Sequence, residues 1–125
     1  MRISKAAEAC GLSIDTIRYY EKAGMLPEIR RDAGGRRMFS PSDVEWLTLL
    51  FWLRETGMPM GQMRRFTALA KAGRKTDDDT MAERRNILWQ HAKELRRRRA
   101  LLDKCEAVLA VKIASYDARD GEKSA

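Results

Sequence analysis

The chain has 125 residues, 44% of them hydrophobic and 34% charged, which suits one domain with an extension but not two full domains. Its formal net charge is +7, and residues 1–75 carry 14 Lys/Arg against 8 Asp/Glu, a net of +6. This asymmetry favours a polyanionic partner for the first 75 residues, with a plain basic surface as the alternative. The sequence has no signal peptide, no apolar run that could span a bilayer, and only two cysteines. We therefore expect a cytoplasmic protein with no membrane partner and no disulfide framework.

Two short helices flank a glycine-containing turn at the start of the chain. Residues 4–10 are rich in good helix formers, Gly11 permits positive φ in the turn, and Ser13 is placed to cap the next helix. This pattern predicts a helix-turn-helix unit, whose second helix enters the DNA major groove. Basic and phenolic side chains on that helix can bind phosphates or a guanine edge. The candidates are Thr16, Arg18, Tyr19 and Tyr20.

A two-stranded hairpin is predicted over residues 27–39. Residues 32–35, Asp-Ala-Gly-Gly, are a turn signal between two short extended stretches. Arginines flanking a glycine-rich tip suit a wing that straddles phosphates or enters a minor groove, with a solvated hairpin as the alternative. These arginines are Arg30, Arg31, Arg36 and Arg37.

Two further helices are predicted in the middle of the chain, over residues 41–55 and 60–72. The sequence Ser-Pro-Ser-Asp from Ser40 onward places a capping hydroxyl, a proline and an acid at the first turn of the first helix. That helix has little polar face, so we expect it to be the central buried one. Gly73 is predicted to end the second helix, and residues 74–79 to form a polar linker that caps the next helix.

The last third of the chain is predicted to be one long helix. From about residue 79 to residue 116 there is no Gly or Pro, and an apolar residue recurs every seven positions. Such a series favours packing on a partner helix, and a homodimer is the simplest solution, with a helix folded back on its own domain as the alternative. The tail, residues 118–125, is predicted to be disordered. The predicted dimerisation residues are Met81, Leu88, Leu95, Leu102, Leu109 and Ile113.

Residue types that carry catalysis or bind metals are scarce. His91 is the only histidine and Cys105 the only cysteine of the long helix. Neither a catalytic triad nor a metal-ligand set can be assembled, so we predict no enzyme, no cofactor and no metal. Cys105 is interpreted as a small hydrophobe, with a redox thiol as the alternative. The four arginines at 96–99 are expected to be neutralised by nearby acids, with an anion site as the alternative.

These elements together resemble the MerR family of bacterial transcription regulators, in a short form without a C-terminal effector domain. The resemblance implies an all-α fold with a small β-hairpin wing. Residues 1–75 would form a winged helix-turn-helix, and residues 76–117 a long helix that dimerises as an antiparallel coiled coil. It rests on residues 3–4, 11–13, 16–21, 24–26, 35–39, 43 and 56–58, together with the long helix.

The resemblance also implies a mechanism and a site. Dimers of this family bind promoter DNA and bend and untwist it, which realigns the promoter elements for RNA polymerase, often in a stress response. An excisionase-like DNA-bending protein is the alternative, which the long helix disfavours. The positions implied to contact DNA are Arg18, Tyr20, Arg31, Arg37 and Arg54, with Thr16, Tyr19 and Arg36 as secondary candidates.

The inducing signal stays open at this point. Metal-sensing members use paired cysteines at the ends of the dimer helix and iron–sulfur members use four, whereas this chain has Cys105 alone on that helix. Trp52 stands where a thiol-sensing subgroup has a cysteine. An unidentified small effector is one interpretation of the tryptophans and methionines near the second wing. Ordinary core packing is the other.

Overall fold

The computed structural model describes residues 1–75 and 80–124, with the side chains of 1–73 and 80–123. The contacts within the chain define two units, Met1–Leu88 and Trp89–Ala125, and the last helix runs through both ranges. The elements in chain order are α1 (Ile3–Cys10), α2 (Ile14–Lys22), β1 (Arg30–Arg31), β2 (Arg37–Met38), α3 (Pro41–Glu55), α4 (Met60–Lys75) and α5 (Met81–Ser124). The mostly helical fold with one small hairpin confirms the predicted fold class.

The turn between α1 and α2 follows from two local signals. Gly11 ends α1 at φ +88°, and its amide donates to the carbonyl of Ala7 at 3.0 Å. Ser13 then caps α2, since its hydroxyl oxygen accepts from the amide of Thr16 at 3.1 Å. A Cβ at Gly11 would lie 3.3 Å from the ring of Phe51 on α3, so the turn passes close to α3. The predicted helix-turn-helix is present.

The wing is an antiparallel hairpin of two short strands. Arg30 pairs with Met38, and Arg31 pairs with Arg37. Asp32 organises the turn, because its Oδ1 accepts from the amides of Gly34 at 3.0 Å and Arg36 at 2.9 Å. These amides, together with the guanidinium of Arg2, hold the pKa of the Asp32 carboxyl below its ordinary value.

A capping box starts α3. The Ser40 hydroxyl accepts from the amide of Asp43 at 3.1 Å, and the Asp43 carboxylate accepts from the amide of Ser40 at 2.9 Å. The helix packs against both α1 and α4. Gly73 does not end α4, which continues to Lys75 and so includes the first two residues of the predicted linker. One glycine costs a helix only about 1 kcal/mol, which is too little to stop it. Residues 76–79, the rest of that linker with its predicted cap, lie outside the described residues.

The core of the N-terminal unit brings α1 to α4 together. Trp46 of α3 stacks on Phe66 of α4 with ring centroids 5.4 Å apart, and its Nε1 donates to the carbonyl of Met25 at 3.0 Å. The most deeply buried apolar side chains are Ala6, Ile17, Tyr20, Leu47, Leu50 and Met63.

The first two turns of α5 belong to this unit. Ile87 is buried in its core, and Leu88 packs against the same cluster. The Thr80 hydroxyl, just before the helix, donates to the carbonyl of Leu69 at 2.8 Å. Leu88 therefore packs on its own unit, and its place in a dimer seam stays a prediction. The short connection from α4 brings the start of α5 within reach of α4, so these turns fold back on their own unit.

The C-terminal unit consists of helix over residues 89–124. Glu94 pairs with Arg97 at 2.6 Å and with Arg98 at 3.5 Å, and these bonds lower the pKa of Glu94 to about 2. The predicted neutralisation of the arginine run by a nearby acid is therefore present for two of its members. Residues 118–124 are helical, although a disordered tail was predicted. An established helix extends at little cost through residues that lack proline.

Candidate nucleic-acid interface

The outward face of α2 carries the predicted reading residues. Arg18 and Tyr19 are exposed, and Thr16 is half-buried beside the N-cap. Ile17 and Tyr20, which are three residues apart on the opposite face, point into the core. Arg18 is therefore available to a phosphate or a base edge, as its position in the sequence predicts.

Tyr20 of the same helix points inward. Its side chain is 1% exposed, although it also lines the concave site described below, and its predicted contact with DNA stays a prediction. Among the described residues, its hydroxyl has no hydrogen-bond partner. Burial raises the pKa of Tyr20, and the nearby guanidinium of Arg54 offsets part of that rise. The guanidinium of Arg54 therefore lies close enough to this buried hydroxyl to interact with it.

One concave site joins three helices at this point. It has a volume of about 220 Å³, and Arg54 comes to it from the end of α3. A second guanidinium stands next to the site and not in its lining, since the Nη2 of Arg64 on α4 donates to the Tyr19 hydroxyl at 2.6 Å. Two guanidinium groups, a phenol and a hydroxyl are donors that suit a phosphate, and a single carboxylate, Asp15, stands among them. The site is lined by Asp15, Thr16, Tyr19, Tyr20, Arg54 and Met60.

Arg64 was missed by the sequence analysis. It lies 45 residues from Tyr19 in the chain, and no local motif connects the two. The one available signal is the basic pair Arg64-Arg65 on the helix that follows Pro59. That signal was weak because a basic pair on an amphipathic helix is usually a solvated face.

The wing arginines fall into two groups. Arg30 and Arg36 are exposed, and Arg31 is exposed with its guanidinium donating to the Gly35 carbonyl at 2.8 Å. Arg37 is half-buried, and its Nε donates to the Glu21 carboxylate at 2.5 Å. The predicted contacts Arg31 and Arg36 thus lie at the surface, whereas Arg37 is already paired with an acid of α2.

Beside the wing lies a larger concavity of about 920 Å³. Its lining mixes acidic and basic side chains, which makes it a poorer match to a polyanion than the site at Arg54. The charged residues that line it are Glu21, Glu28, Arg30, Arg31 and Lys71.

The described part of the chain was also compared with what a metal site, a reactive thiol and a membrane-spanning helix require. Within residues 1–75 and 80–124, no cluster of three or more His, Cys, Asp or Glu side chains could hold a metal ion. Cys10 is buried and Cys105 is exposed, both as free thiols. Over the same residues, no helix combines the length and the apolar character that crossing a membrane requires.

The predicted dimerisation positions are largely uncovered. Leu95 is half-buried, but the others that lie beyond the first turns of α5 are more than half exposed. Further apolar residues of the same helix are exposed as well, so the C-terminal unit displays an extended apolar surface. The exposed apolar side chains beyond residue 100 are Leu101, Leu102, Val108, Leu109, Val111, Ile113 and Tyr116.

Comparison with known proteins adds an independent line of observation. Residues 1–69 match the family described as MerR HTH family regulatory protein. An HTH-type transcriptional regulator of Haemophilus influenzae is 37% identical over 113 residues, which cover 90% of this chain and 81% of that protein.

Two crystal structures resemble the whole chain. That of HiNmlR, a MerR family regulator lacking the sensor domain and bound to promoter DNA, has a TM-score of 0.79 and 36% identity. The similarity covers 93% of this chain and 89% of HiNmlR. A MerR family transcriptional regulator from Listeria monocytogenes also has a TM-score of 0.79, with 32% identity and coverage of 94% and 86%.

Proposed function

Because the chain belongs to the MerR family of helix-turn-helix transcription regulators, we propose that it binds promoter DNA as a homodimer and regulates transcription by bending and untwisting the duplex. The observation that carries this proposal is the site on α2, α3 and α4, where Arg54 and Arg64 flank the exposed Tyr19. Such a cluster supplies charge-assisted donors to a phosphate on the strand next to the base edges that α2 reads.

The proposed DNA surface has three parts. Arg18 on α2 reads a base edge or binds a phosphate, as do helices of this type in the major groove. The site around Arg54 holds a backbone phosphate, with the buried Tyr20 beneath it in a supporting role. The exposed wing arginines follow the adjacent minor groove. The proposed contact residues are Thr16, Arg18, Tyr19, Arg31, Arg36, Arg54 and Arg64.

The exposed apolar surface of α5 supports the homodimer. Stable soluble proteins rarely leave a long apolar stripe in water, and a second copy of the same helix covers it with matching side chains. Charge favours an antiparallel arrangement. Residues 81–100 carry 7 Lys/Arg against 2 Asp/Glu, whereas residues 101–124 carry 4 against 5. A parallel pair would place the two basic halves side by side, and an antiparallel pair places each against the other's less basic half.

Regulation then follows from symmetry and DNA mechanics. A two-fold dimer matches a pseudo-palindromic operator, and deforming the DNA between two half-sites changes its bend and twist at a modest energetic cost. We infer that RNA polymerase at the same promoter is the partner that senses this change, that this takes place in the cytoplasm, and that an unidentified small effector sets the balance. No catalytic step is part of this proposal.

A seam variant with a matched control tests the homodimer and its role together. Leu102→Asp places a charge in the predicted seam, whereas Ala107→Asp places it on the far side of the same helix. We expect Leu102→Asp to sediment as a monomer and to bind a duplex selected by the wild type at least about tenfold more weakly. Ala107→Asp should match the wild type in both measurements. A dimeric Leu102→Asp with unchanged affinity would contradict the proposal.

A further inference from the structure

We propose that Glu21 and Arg37 form a positioning pair that fixes the wing to α2, and that Arg37 acts through this pair and not through a DNA phosphate. The inference rests on the proposed DNA-binding function, which it deepens. It also reverses the role that family resemblance implies for Arg37.

The Glu21–Arg37 pair is a partly buried salt bridge that connects α2 to the wing. Glu21 lies in the last turn of α2 and Arg37 begins β2, and the Nε–Oε1 distance between them is 2.5 Å. Their side chains are only 25% and 29% exposed, unlike the exposed arginines of the same hairpin. A short, charge-assisted bond between largely covered groups holds its two elements at a defined distance.

The hairpin depends on this salt bridge for stability because two of its arginines repel each other. Arg31 and Arg37 stand directly opposite each other in the strand register, and like charges in that position destabilise a strand pair. Each strand has only two residues, and an isolated hairpin of this size is marginal in water. Glu21 neutralises Arg37, while the Gly35 carbonyl holds the guanidinium of Arg31. A second pair, Arg2–Asp32 at 2.6 Å, ties the turn to the start of the chain.

Recruiting Arg37 to a phosphate would undo this arrangement. The carboxylate of Glu21 would lose its partner while three-quarters covered, and an unpaired covered charge is costly. The same carboxylate would then stand unneutralised near the DNA backbone. An intact salt bridge avoids both the unpaired carboxylate and its repulsion from the DNA backbone. The wing then keeps a fixed position relative to α2 while its exposed arginines contact DNA.

The test compares three neutral variants in the full chain. Glu21→Gln and Arg37→Gln each remove the pair, and Arg36→Gln removes an exposed charge next to it. The probes are a duplex selected by the wild type from a random-sequence library and an unselected duplex of the same length, each over a range of salt concentrations. Thermal unfolding of every variant checks that the domain is intact.

The pair predicts a specific pattern of binding. Glu21→Gln and Arg37→Gln should each weaken binding to the selected duplex by about fivefold, and the double variant should lose no more than either single one. Neither should change the slope of log affinity against log salt. Arg36→Gln should reduce the magnitude of that slope by about 1.8, because the homodimer loses one phosphate contact in each of its two copies. The exchanged pair Glu21→Arg with Arg37→Glu should recover most of the affinity.

The opposite pattern would overturn the inference. If Arg37 binds a phosphate directly, Arg37→Gln lowers the magnitude of the salt slope by about 1.8 for the two copies of the homodimer, and Glu21→Gln strengthens binding because it removes a negative charge. Amide hydrogen exchange in the free protein gives a readout that needs no DNA. Exchange at Asp32 should accelerate equally in Glu21→Gln and Arg37→Gln and stay unchanged in Arg36→Gln. Equal exchange in all variants refutes the proposed role of the pair, whereas a wild type that enriches no duplex from the random-sequence library refutes the proposed function alone.

Discussion

The two units of the molecule differ in how far their apolar side chains are buried. In Met1–Leu88 the large side chains of four helices are buried together, and the start of α5 joins them. In Trp89–Ala125 the apolar side chains beyond residue 100 are more than half exposed. The first unit thus has a core of its own, as an independently folding domain requires. The second unit lacks a hydrophobic core of its own. Under the proposed function, the same helix of a second copy covers its apolar side chains and completes the core.

The largest expected effect comes from damaging the complete core. Leu50 on α3 is fully buried, so Leu50→Ala should lower the free energy of unfolding by about 2–5 kcal/mol. Val111→Ala, at an exposed position of α5 on the side opposite the predicted seam, should stay within about 0.5 kcal/mol. Urea unfolding of both variants measures this difference. Similar losses would show that the two units do not differ in packing as described.

The second largest effect expected is a dependence of thermal stability on protein concentration, which would arise from the C-terminal unit. If a second copy completes the C-terminal unit, each tenfold dilution weakens association by about 1.4 kcal/mol, and the melting temperature falls with it. Melting followed by circular dichroism at several protein concentrations measures this shift. Leu102→Asp should remove the concentration dependence. A wild-type melting temperature that is the same at every concentration would speak against the homodimer.

A smaller effect is expected at the start of α3. Ser40→Ala removes the hydroxyl of the capping box and should cost about 1 kcal/mol of unfolding free energy in the N-terminal unit. Ser42→Ala, two residues further on, retains the cap and serves as the control. Equal losses in the two variants would mean that the box contributes nothing measurable.

The smallest effect is a pH dependence that belongs to the C-terminal unit. Burial, with the charge of Arg98 beside it, lowers the pKa of His91 below its ordinary 6.5. The unfolded chain therefore takes up the proton first, so the contribution of His91 to stability is present above pH 6.5 and is lost as the pH falls below it. Urea unfolding at pH 7.5 and 5.5 should show this loss in the wild type. His91→Gln should flatten it, and an equal slope in both proteins would refute the assignment.

Local chemistry explains why much of the N-terminal unit was predictable. The turn at Gly11, the cap at Ser13 and the box at Ser40 each depend on residues within a few positions of one another. The hairpin follows in the same way from its Asp-Ala-Gly-Gly turn. These signals predicted the order of the elements. They also predicted that Arg18 lies on the exposed face of α2, where the structure places it.

The rest of the candidate site depends on contacts between distant parts of the chain. The bond between Tyr19 and Arg64 spans 45 residues, and the pairing of Arg37 with Glu21 spans 16. Heptad spacing could not show that Leu88 packs on its own unit, because the same periodicity serves a partner helix and a domain core equally well. The burial of Tyr20 has the same origin, since which face of α2 turns inward is decided by α3 and α4.

The glycine at the turn between α1 and α2 has a consequence for engineering new operator preferences. Gly11 has a left-handed backbone, and a Cβ added there would lie 3.3 Å from the aromatic ring of Phe51. A larger residue would therefore strain the turn and press on α3 at once. A library that aims at altered sequence selectivity should therefore vary Arg18 and its exposed neighbours and leave this position untouched. The residues proposed to contact DNA are distinct from those that hold the turn in place. Substitutions at the contact residues should therefore change selectivity without causing the domain to misfold.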